Sequence, residues 1–315
     1  MTKTSDCKME TWFLVLGCFL SILTIIGNGF IIFLVCSKRQ LRTKTNAFVV
    51  SLAVADLFVG ITVFPVLFSL EMTRDRSYSQ ELYKGMLIVR WLFQDTSVVN
   101  LCSLVLERYF ATVMPFKYVT FMTRQRVVQL ILIPWALTII FILLEASLWI
   151  GLNSFFILKI FIWPAIIFFL FLPSCMVSFC LISMLCIVYK HNRTSRILTR
   201  QLRFNHRVSH KPYEKSPTVM MVIVSSFFLV HSVVNIRCAF LRILTQAEDC
   251  YDLDYKIPLL VLNSAVNPLA YAVFKRDIKK ELKRQICTVI LKNEHRRKTL
   301  HFNRANRITA SSTNL

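Results

Sequence analysis

The sequence is short of charged residues. Only 17% of its 315 residues are Asp, Glu, Lys or Arg, whereas 55% are hydrophobic and 26 are Phe. A water-soluble domain needs a largely charged and polar surface, so this composition excludes an ordinary soluble protein. The mean hydropathy of +0.55 is typical of a membrane protein.

Patterns that accompany catalysis and internal duplication are also missing. The six glycines form no phosphate-cradling loop, and the sequence has neither a nucleophile elbow nor a His/Cys spacing suited to a metal ion. We therefore do not expect an enzyme. No repeat of about 20 to 50 residues is visible, and the two halves lack the similarity that marks many transporters. Alternating strand patterns are absent too, so apolar segments in lipid must be helices.

Seven runs are poor in charge and close to or above the roughly 20 residues that a helix needs to cross a bilayer. They cover residues 12–36, 46–70, 86–106, 128–150, 155–189, 217–244 and 256–274. We predict an all-α, seven-transmembrane helix bundle over residues 12–274, preceded by an extracellular segment 1–11. The first run is too long for a signal peptide and has no small-residue cleavage pattern, so we interpret it as a retained helix.

The net charge of +21 follows membrane topology. Basic residues crowd the loops after runs one, three and five and the segment after run seven, whereas the opposite loops mix both signs. The positive-inside rule then places the N-terminus outside the cell and the tail in the cytoplasm. We expect a multi-pass plasma-membrane protein that does not bind nucleic acid.

Polar residues within the runs are the first functional candidates, because they are costly in a bilayer and usually face the bundle interior. Those of interest are Asn28, Asp56, Asp95, Ser97, Asn263, Ser264 and Asn267. Asn and Ser could simply join helices by hydrogen bonds. The carboxylate of Asp56 instead requires a cation, a proton or several donors. Pro134, Pro173 and Pro268 are expected to bend their helices.

Eight of the ten cysteines, Cys238 among them, lie in the runs or near the cytoplasmic side, and we expect them to be free thiols. Cys7 and Cys250 are extracellular in this topology, where a disulfide persists. We hypothesise that these two pair.

The polar motifs, taken in order, resemble those of the rhodopsin-like (class A) G protein-coupled receptors. They are "GN" in run one, "LAVADL" in run two, "ERY" closing run three, "PWAL" in run four, Pro173 in run five and "NPLAY" in run seven. The resemblance covers about residues 12–290. It implies a receptor that converts extracellular ligand binding into activation of a heterotrimeric G protein.

The resemblance also implies roles for particular residues. Glu107, Arg108 and Tyr109 would form the G protein coupling switch, with Tyr271 as its toggling tyrosine. Glu214 is either a second partner of Arg108 or a solvated loop acid. A sodium pocket would consist of Asp56, Ser97, Asn263, Ser264 and Asn267, since hard oxygen ligands suit a small cation.

Beyond run seven, apolar residues recur every fourth position between basic residues. This pattern predicts an amphipathic eighth helix at residues 275–288, lying on anionic membrane lipid, followed by a tail at 289–315. Cys287 is a palmitoylation candidate. Thr309, Ser311, Ser312 and Thr313 are candidate phosphorylation sites for a receptor kinase, with arrestin as the partner.

The chain departs from the family at three positions. Tyr83 stands where the family usually has a cysteine at the outer end of the third span, and run six lacks the Trp and Pro of the C-W-x-P motif. Phe227 or Phe228 could fill the aromatic position of run six. Leu181 replaces a tyrosine expected to meet Arg108.

Arg90 occupies the position where amine receptors carry an acid, so their ligand is not inferred. With Arg237 and Arg242, it could receive a carboxylate or phosphate of an anionic small molecule or lipid. Alternatively, Arg90 pairs with Glu145 or extends to the membrane interface. The ligand-binding candidates are Arg90, Gln94, Asp95, Glu145, His231 and Asn235.

Two alternative functions stay open at this point. A channel or transporter could use Asp56, Asp95 and Glu145 as an acidic path through the membrane. A retinal pigment would need a lysine in the middle of run seven, near Val261, and Lys256 lies about one helical turn too far out.

Overall fold

The computed structural model describes residues 11–72, 80–152, 164–202, 216–245, 253–285 and 287–288. Every regular element in these ranges is helical, and seven long helices fall on the seven predicted runs. In chain order the helices are α1 (Thr11–Ser37), α2 (Lys44–Met72), α3 (Gln80–Val113), the short α4 (Pro115–Phe121), α5 (Arg124–Leu152), α6 (Leu172–Leu202), α7 (Ser216–Thr245), α8 (Leu253–Phe274) and α9 (276–285). The predicted all-α fold is confirmed.

Five of the long helices are apolar and long enough to cross a membrane by composition alone: α1, α2, α5, α6 and α7. Helix α3 carries Arg90, Asp95, Glu107 and Arg108, which lower its hydropathy. The apolar stretch of α8 is shorter and covers Pro258–Phe274. These two helices therefore combine a spanning position with the polar residues of the candidate site.

The bundle buries its interior and leaves an apolar exterior. Helix α1 packs against α2 and α8, α2 against α3, α3 against α5 and α6, and α7 against α8. The largest fully buried side chains include Phe48, Leu104, Phe228 and Tyr271. Outward-facing residues such as Phe19, Ile26 and Phe33 are more than half exposed, as expected for helices whose outer surfaces contact lipid.

Proline changes the helical geometry before α6. A π-helical turn, Ile167–Phe171, directly precedes Leu172 and Pro173, and the Leu172 N–H donates to the carbonyl of Ile167. Proline has no N–H to continue an α-helical ladder, and π-turns of this kind redistribute the hydrogen bonds around it. The Ser174 hydroxyl donates to the Leu170 carbonyl at 2.6 Å. Pro134 lies inside α5, and Pro258 and Pro268 lie inside α8.

The cysteine expectation needs one correction. Cys238, near the end of α7, is disulfide-bonded and is not the free thiol that we expected. Its place within an apolar run misled here, because a disulfide depends on which cysteine lies beside it in the fold and not on the hydropathy of its own segment. The other seven described cysteines are free. Cys7 and Cys250, the hypothesised pair, lie outside the described residues.

Candidate functional site

Glu107, near the C-terminal end of α3, is the centre of a closed polar cluster. Its side chain is fully buried, and its carboxylate accepts hydrogen bonds from Arg108, from the Thr45 hydroxyl at 2.9 Å and from the Tyr118 hydroxyl at 2.5 Å. Arg108 also donates to the Thr45 oxygen. Several donors and a neighbouring cation offset the desolvation of this carboxylate, so the predicted pairing of Glu107 with Arg108 is present.

Helix α4 positions Tyr118. It begins with Pro115 in its first turn, where the missing N–H is not needed. Partial burial and the hydrogen bond to Glu107 raise the pKa of Tyr118 to about 12, so the hydroxyl stays protonated and acts as a donor at physiological pH. Phe116 on the same helix is 90% exposed and Val119 is 73% exposed. The closed cluster therefore adjoins an exposed apolar surface on α4.

Of the other expected switch residues, the structure describes Tyr109 and Tyr271, and neither is hydrogen-bonded to Glu107 among the contacts of the described residues. The Tyr109 ring packs against the Phe179 ring of α6, with 6.1 Å between centroids. Leu181 of α6 is buried in the core, where it offers no hydroxyl. Tyr271 is fully buried, and its hydroxyl has no hydrogen-bond partner among the residues that the structure describes. Glu214 lies outside the described residues.

Asp56 is the centre of a second polar cluster, halfway along the bundle. It is completely buried, and it accepts hydrogen bonds from the Ser97 hydroxyl and from Asn267 Nδ2, each at 2.6 Å. Ser264 lies close enough to contribute a further hydrogen bond. The five residues expected to form the sodium pocket are all buried, and α2, α3 and α8 bring three of them into direct contact.

The chemistry of this second cluster fits a small hard cation. The Oδ1 atoms of Asn263 and Asn267 are buried, and within the described part of the chain they have no donor. Neutral oxygens around one carboxylate are ligands that such a cation accepts. The described residues contain no group of three or more His, Cys, Asp or Glu that could hold a metal ion, so a site for a transition metal finds no support in them.

The same region contains the proline of α8. Pro268 cannot donate to the Ser264 carbonyl four residues earlier, and Asn28 Nδ2 of α1 donates to that carbonyl instead, at 3.2 Å. Asn28 Nδ2 also donates to the Thr24 carbonyl at 3.0 Å. A Cβ on Gly27 would lie 2.8 Å from Cγ of Pro268. Glycine is therefore required where α1 and α8 approach most closely.

The half of the bundle away from Glu107 brings opposite charges together. Asp95 lies within electrostatic reach of both Arg90 and Glu145. Gln94 is half-buried on the same helix, α3. On α7, His231 is 2% exposed, and Asn235 Nδ2 donates to its carbonyl at 2.8 Å. The ligand-binding candidates thus form an acidic and basic group on α3 and α5 and a His–Asn pair on α7.

Sequence reasoning missed a network that joins α2, α3 and α5. The Ser51 hydroxyl donates to Asn100 Oδ1 at 2.6 Å, and Trp135 Nε1 donates to the Ser51 oxygen at 3.1 Å. Thr96 and Thr138 share a hydrogen bond of 2.7 Å one turn away. The sequence does show that these polar residues lie in apolar helices. It does not show which of them face one another across the helices, and this is why the network was missed.

A further missed cluster surrounds Asn46 at the beginning of α2. Its Nδ2 donates to the Leu41 carbonyl at 2.6 Å and to Asp277 Oδ2 at 2.9 Å, and its Oδ1 accepts from the Lys275 ammonium. This cluster fastens the beginning of α9 to α2.

Comparison with known proteins gives a consistent result. The family model described as 7 transmembrane receptor (rhodopsin family) matches residues 27–271. The probable G-protein coupled receptor No9 of Amphibalanus amphitrite is 36% identical over 39% of this chain and 26% of its own length. The dopamine D2-like receptor of Drosophila melanogaster is 34% identical over 40% of this chain and 14% of its own. The octopamine receptor beta-2R of Chilo suppressalis is 32% identical over 42% of this chain and 33% of its own length. The matched region spans a third or less of the length of these relatives.

Proposed function

Because the chain belongs to the rhodopsin family of seven-transmembrane receptors, we propose that it relays the binding of an extracellular ligand to a heterotrimeric G protein. In this proposal the protein lies in the plasma membrane with its N-terminus outside. The observation that carries the proposal is the closed cluster of Glu107, Arg108, Thr45 and Tyr118 beside the exposed apolar residues of α4. A guanidinium held by a neighbouring carboxylate can be released as a two-state switch.

The proposed switch works by exchange of partners. In the resting arrangement Arg108 is held by Glu107 and Thr45. Opening of the helices on the cytoplasmic side would free the guanidinium to contact a G protein, while Phe116 supplies apolar contact area. Leu181 gives no hydroxyl to hold the released arginine, so we propose that the partner protein itself supplies the new acceptors.

The test is guanine nucleotide exchange on a panel of purified G proteins, using the receptor in lipid nanodiscs. We expect the wild type to accelerate exchange on at least one of them and Arg108→Ala to abolish the acceleration. Arg124→Ala, an exposed arginine at the beginning of α5, is the matched control and should retain it. Full exchange by Arg108→Ala would contradict the assigned switch.

The channel alternative is tested with the same preparation. Asp56 is enclosed by hydrogen bonds to α3 and α8 and is completely buried, which favours a closed polar site over an ion path. Proteoliposomes containing the protein should show no cation flux above that of empty liposomes. A flux that Asp56→Asn removes would favour the channel.

We further propose that sodium binds at the Asp56 cluster and stabilises the resting receptor. Asp56, Ser97 and the unused oxygens of Asn263 and Asn267 would hold the ion. Its charge would neutralise the buried carboxylate. When a cation is bound, the region linking α2, α3 and α8 is held in one arrangement, which favours the resting state.

For the ligand, we propose a molecule that carries both signs of charge. Arg90 suits an acidic group, one of the alternatives that the sequence left open, whereas Asp95 and Glu145 are near it and suit a basic group. Arg90 and Asp95 are five residues apart, or roughly 7.5 Å along α3. A screen should therefore compare zwitterions, amines and anionic lipids. Arg90→Gln and Asp95→Asn are each expected to weaken the binding of a zwitterion.

The cytoplasmic helix α9 supports a proposed contact with anionic lipid. Ile278 is fully buried, whereas Lys279, Lys280, Lys283 and Arg284 are exposed. Cys287 is an exposed free thiol and stays a palmitoylation candidate. Arrestin and a receptor kinase are proposed partners of the tail, which lies outside the described residues.

A further inference from the structure

Helix α9 is joined to the bundle by a partly buried lysine, Lys275, which follows the last residue of α8. Its ammonium donates to Oδ1 of Asn46, and Asn46 is itself completely buried. Asn46 Nδ2 uses both of its donors, on the Leu41 carbonyl and on Asp277. The amide of Asn46 therefore has a single satisfactory orientation, because a flip would place its oxygen against two acceptors.

The cluster is next to the switch. The charged groups that act on Lys275 are Asp277 of α9 and Arg108 and Glu107 of α3. Asp277 in turn acts on Arg108. The four charges sum to zero, and the two cations repel each other. The Lys275 charge is therefore repelled by Arg108 and attracted by Glu107 and Asp277. Asn46, which Lys275 contacts, directly follows Thr45, the residue of α2 that is hydrogen-bonded to both Glu107 and Arg108.

We propose that Lys275 is a positioning residue of the switch. Lys275 holds the beginning of α9 against Asn46, and it secures the resting position of Arg108 more firmly when its own amine is uncharged. A neutral amine still donates to Asn46, so the beginning of α9 stays docked against α2. We call this arrangement the docked state. Loss of the charge removes its desolvation and its repulsion of Arg108, which together outweigh the attraction to Asp277 and Glu107 that is lost with it. The effect on G protein activation rests on the proposed signalling function, whereas the docking of α9 by Lys275 does not.

The direction of the pH effect follows from linkage. Burial lowers the pKa of Lys275 from the ordinary 10.5 to about 8, although Asp277 opposes the shift. Between these two values the docked state holds fewer protons than the undocked state. Docking is therefore weakest below pH 8 and strengthens as the pH rises through this window. One titrating group with a pKa of about 8 in the docked state and 10.5 in the undocked state shifts the docking equilibrium by about tenfold between pH 7 and pH 9.

The structural part is tested without any G protein. Lysine labelled with ¹³C at Cε, in receptor reconstituted in nanodiscs, is titrated by NMR, and the Lys275 signal is assigned by its absence from Lys275→Arg. We expect a midpoint near pH 8 for this lysine alone. A midpoint near that of the exposed lysines would overturn the inference, whatever the receptor couples to.

The functional part uses basal nucleotide exchange at pH 7 and pH 9 in paired variants. We expect wild-type exchange to fall by up to about tenfold as the pH rises. Lys275→Gln keeps a donor without charge and should be low at both pH values, whereas Lys275→Arg keeps the charge and should be high at both. Lys190→Met, an exposed lysine at the cytoplasmic end of α6, is the control and should follow the wild type.

The variants also separate the possible failures. If Lys275→Gln is poorly folded, the wild-type titration and the Lys275→Arg profile still decide the inference. An Arg variant with the wild-type pH profile would overturn the role of Lys275. Absence of exchange with every G protein, together with a Lys275 midpoint near pH 8, would count against the proposed function while leaving the docking inference intact.

Discussion

The buried carboxylates of Glu107 and Asp56 differ in how fully the polar groups around them are satisfied. Around Glu107, the polar groups of Thr45, Arg108 and Tyr118 all find partners. Around Asp56, the oxygens of Asn263 and Asn267 remain without donors among the described residues. A satisfied cluster favours one arrangement, whereas an unsatisfied one calls for an additional group or a rearrangement.

This difference concerns how firmly each cluster is held. The cluster around Glu107 is joined by strong, charge-assisted hydrogen bonds. The cluster around Asp56 is open to change by a cation, by water or by movement of α8. We therefore expect the Asp56 cluster to respond more readily than the Glu107 cluster when an ion or a ligand binds.

The largest effect is expected from breaking the closed cluster. Glu107→Ala leaves the mostly buried Arg108 without its carboxylate, which should lower the free energy of unfolding by about 3 to 5 kcal/mol. The measurement is thermal unfolding of the receptor in detergent. Lys38→Ala removes the ion pair to Glu281 (3.2 Å), whose lysine is 43% exposed, and should change stability by less than about 1 kcal/mol. Equal losses in both variants would show that the pair of Glu107 and Arg108 is no more important than the pair of Glu281 and the more exposed Lys38.

A smaller effect is expected where α1 meets the proline of α8. In Gly27→Ala the new Cβ would lie 2.8 Å from Pro268, so helices must separate, and a loss of about 1 to 3 kcal/mol in unfolding free energy is expected. Gly29→Ala is the control on the same helix, because its Cβ would meet Leu57 at an ordinary 3.5 Å. If Gly29→Ala is equally destabilised, helix propensity rather than the contact with Pro268 determines the result.

The open cluster should respond to sodium. In the wild type, replacing potassium by sodium is expected to lower agonist affinity roughly tenfold, a coupling free energy within the usual 1 to 3 kcal/mol. Asp56→Asn should remove this dependence, since it deletes the only charge in the cluster. Asp95→Asn should preserve it, because Asp95 interacts with Arg90 and Glu145 instead. A sodium effect that survives Asp56→Asn would show that the ion does not bind at this site.

Much of the fold could be predicted because bilayer physics constrains it strongly. Seven apolar runs gave seven helices, and the pairing of Glu107 with Arg108 could be expected because the residues are adjacent in sequence. The contact of Asp56 with Ser97 and Asn267 was expected from the family resemblance, and the structure places these residues within hydrogen-bond distance.

What could not be predicted depends on contacts between distant segments. Thr45 and Tyr118 join Glu107 from α2 and α4, and Asn46 meets Lys275 across 229 positions of the chain. No local pattern indicates such partners. Cys238 shows the same limit, because its disulfide depends on which cysteine the fold brings beside it. The π-turn before Pro173 likewise reflects how one helix adapts to its neighbours.

The smallest expected effect comes from the tyrosine whose hydroxyl is unused. Tyr271→Phe removes a buried hydroxyl that has no partner in the described part of the chain, so resting stability should change by less than about 0.5 kcal/mol or should rise slightly. Tyr118→Phe removes a hydrogen bond to a carboxylate and should lower stability by about 1 kcal/mol. If the Tyr271 hydroxyl serves only the active arrangement, Tyr271→Phe should reduce agonist-stimulated nucleotide exchange while thermal unfolding is unchanged. A clear loss of resting stability would instead mean that ordered water satisfies this hydroxyl, and the central cluster would then be as closed as the one around Glu107.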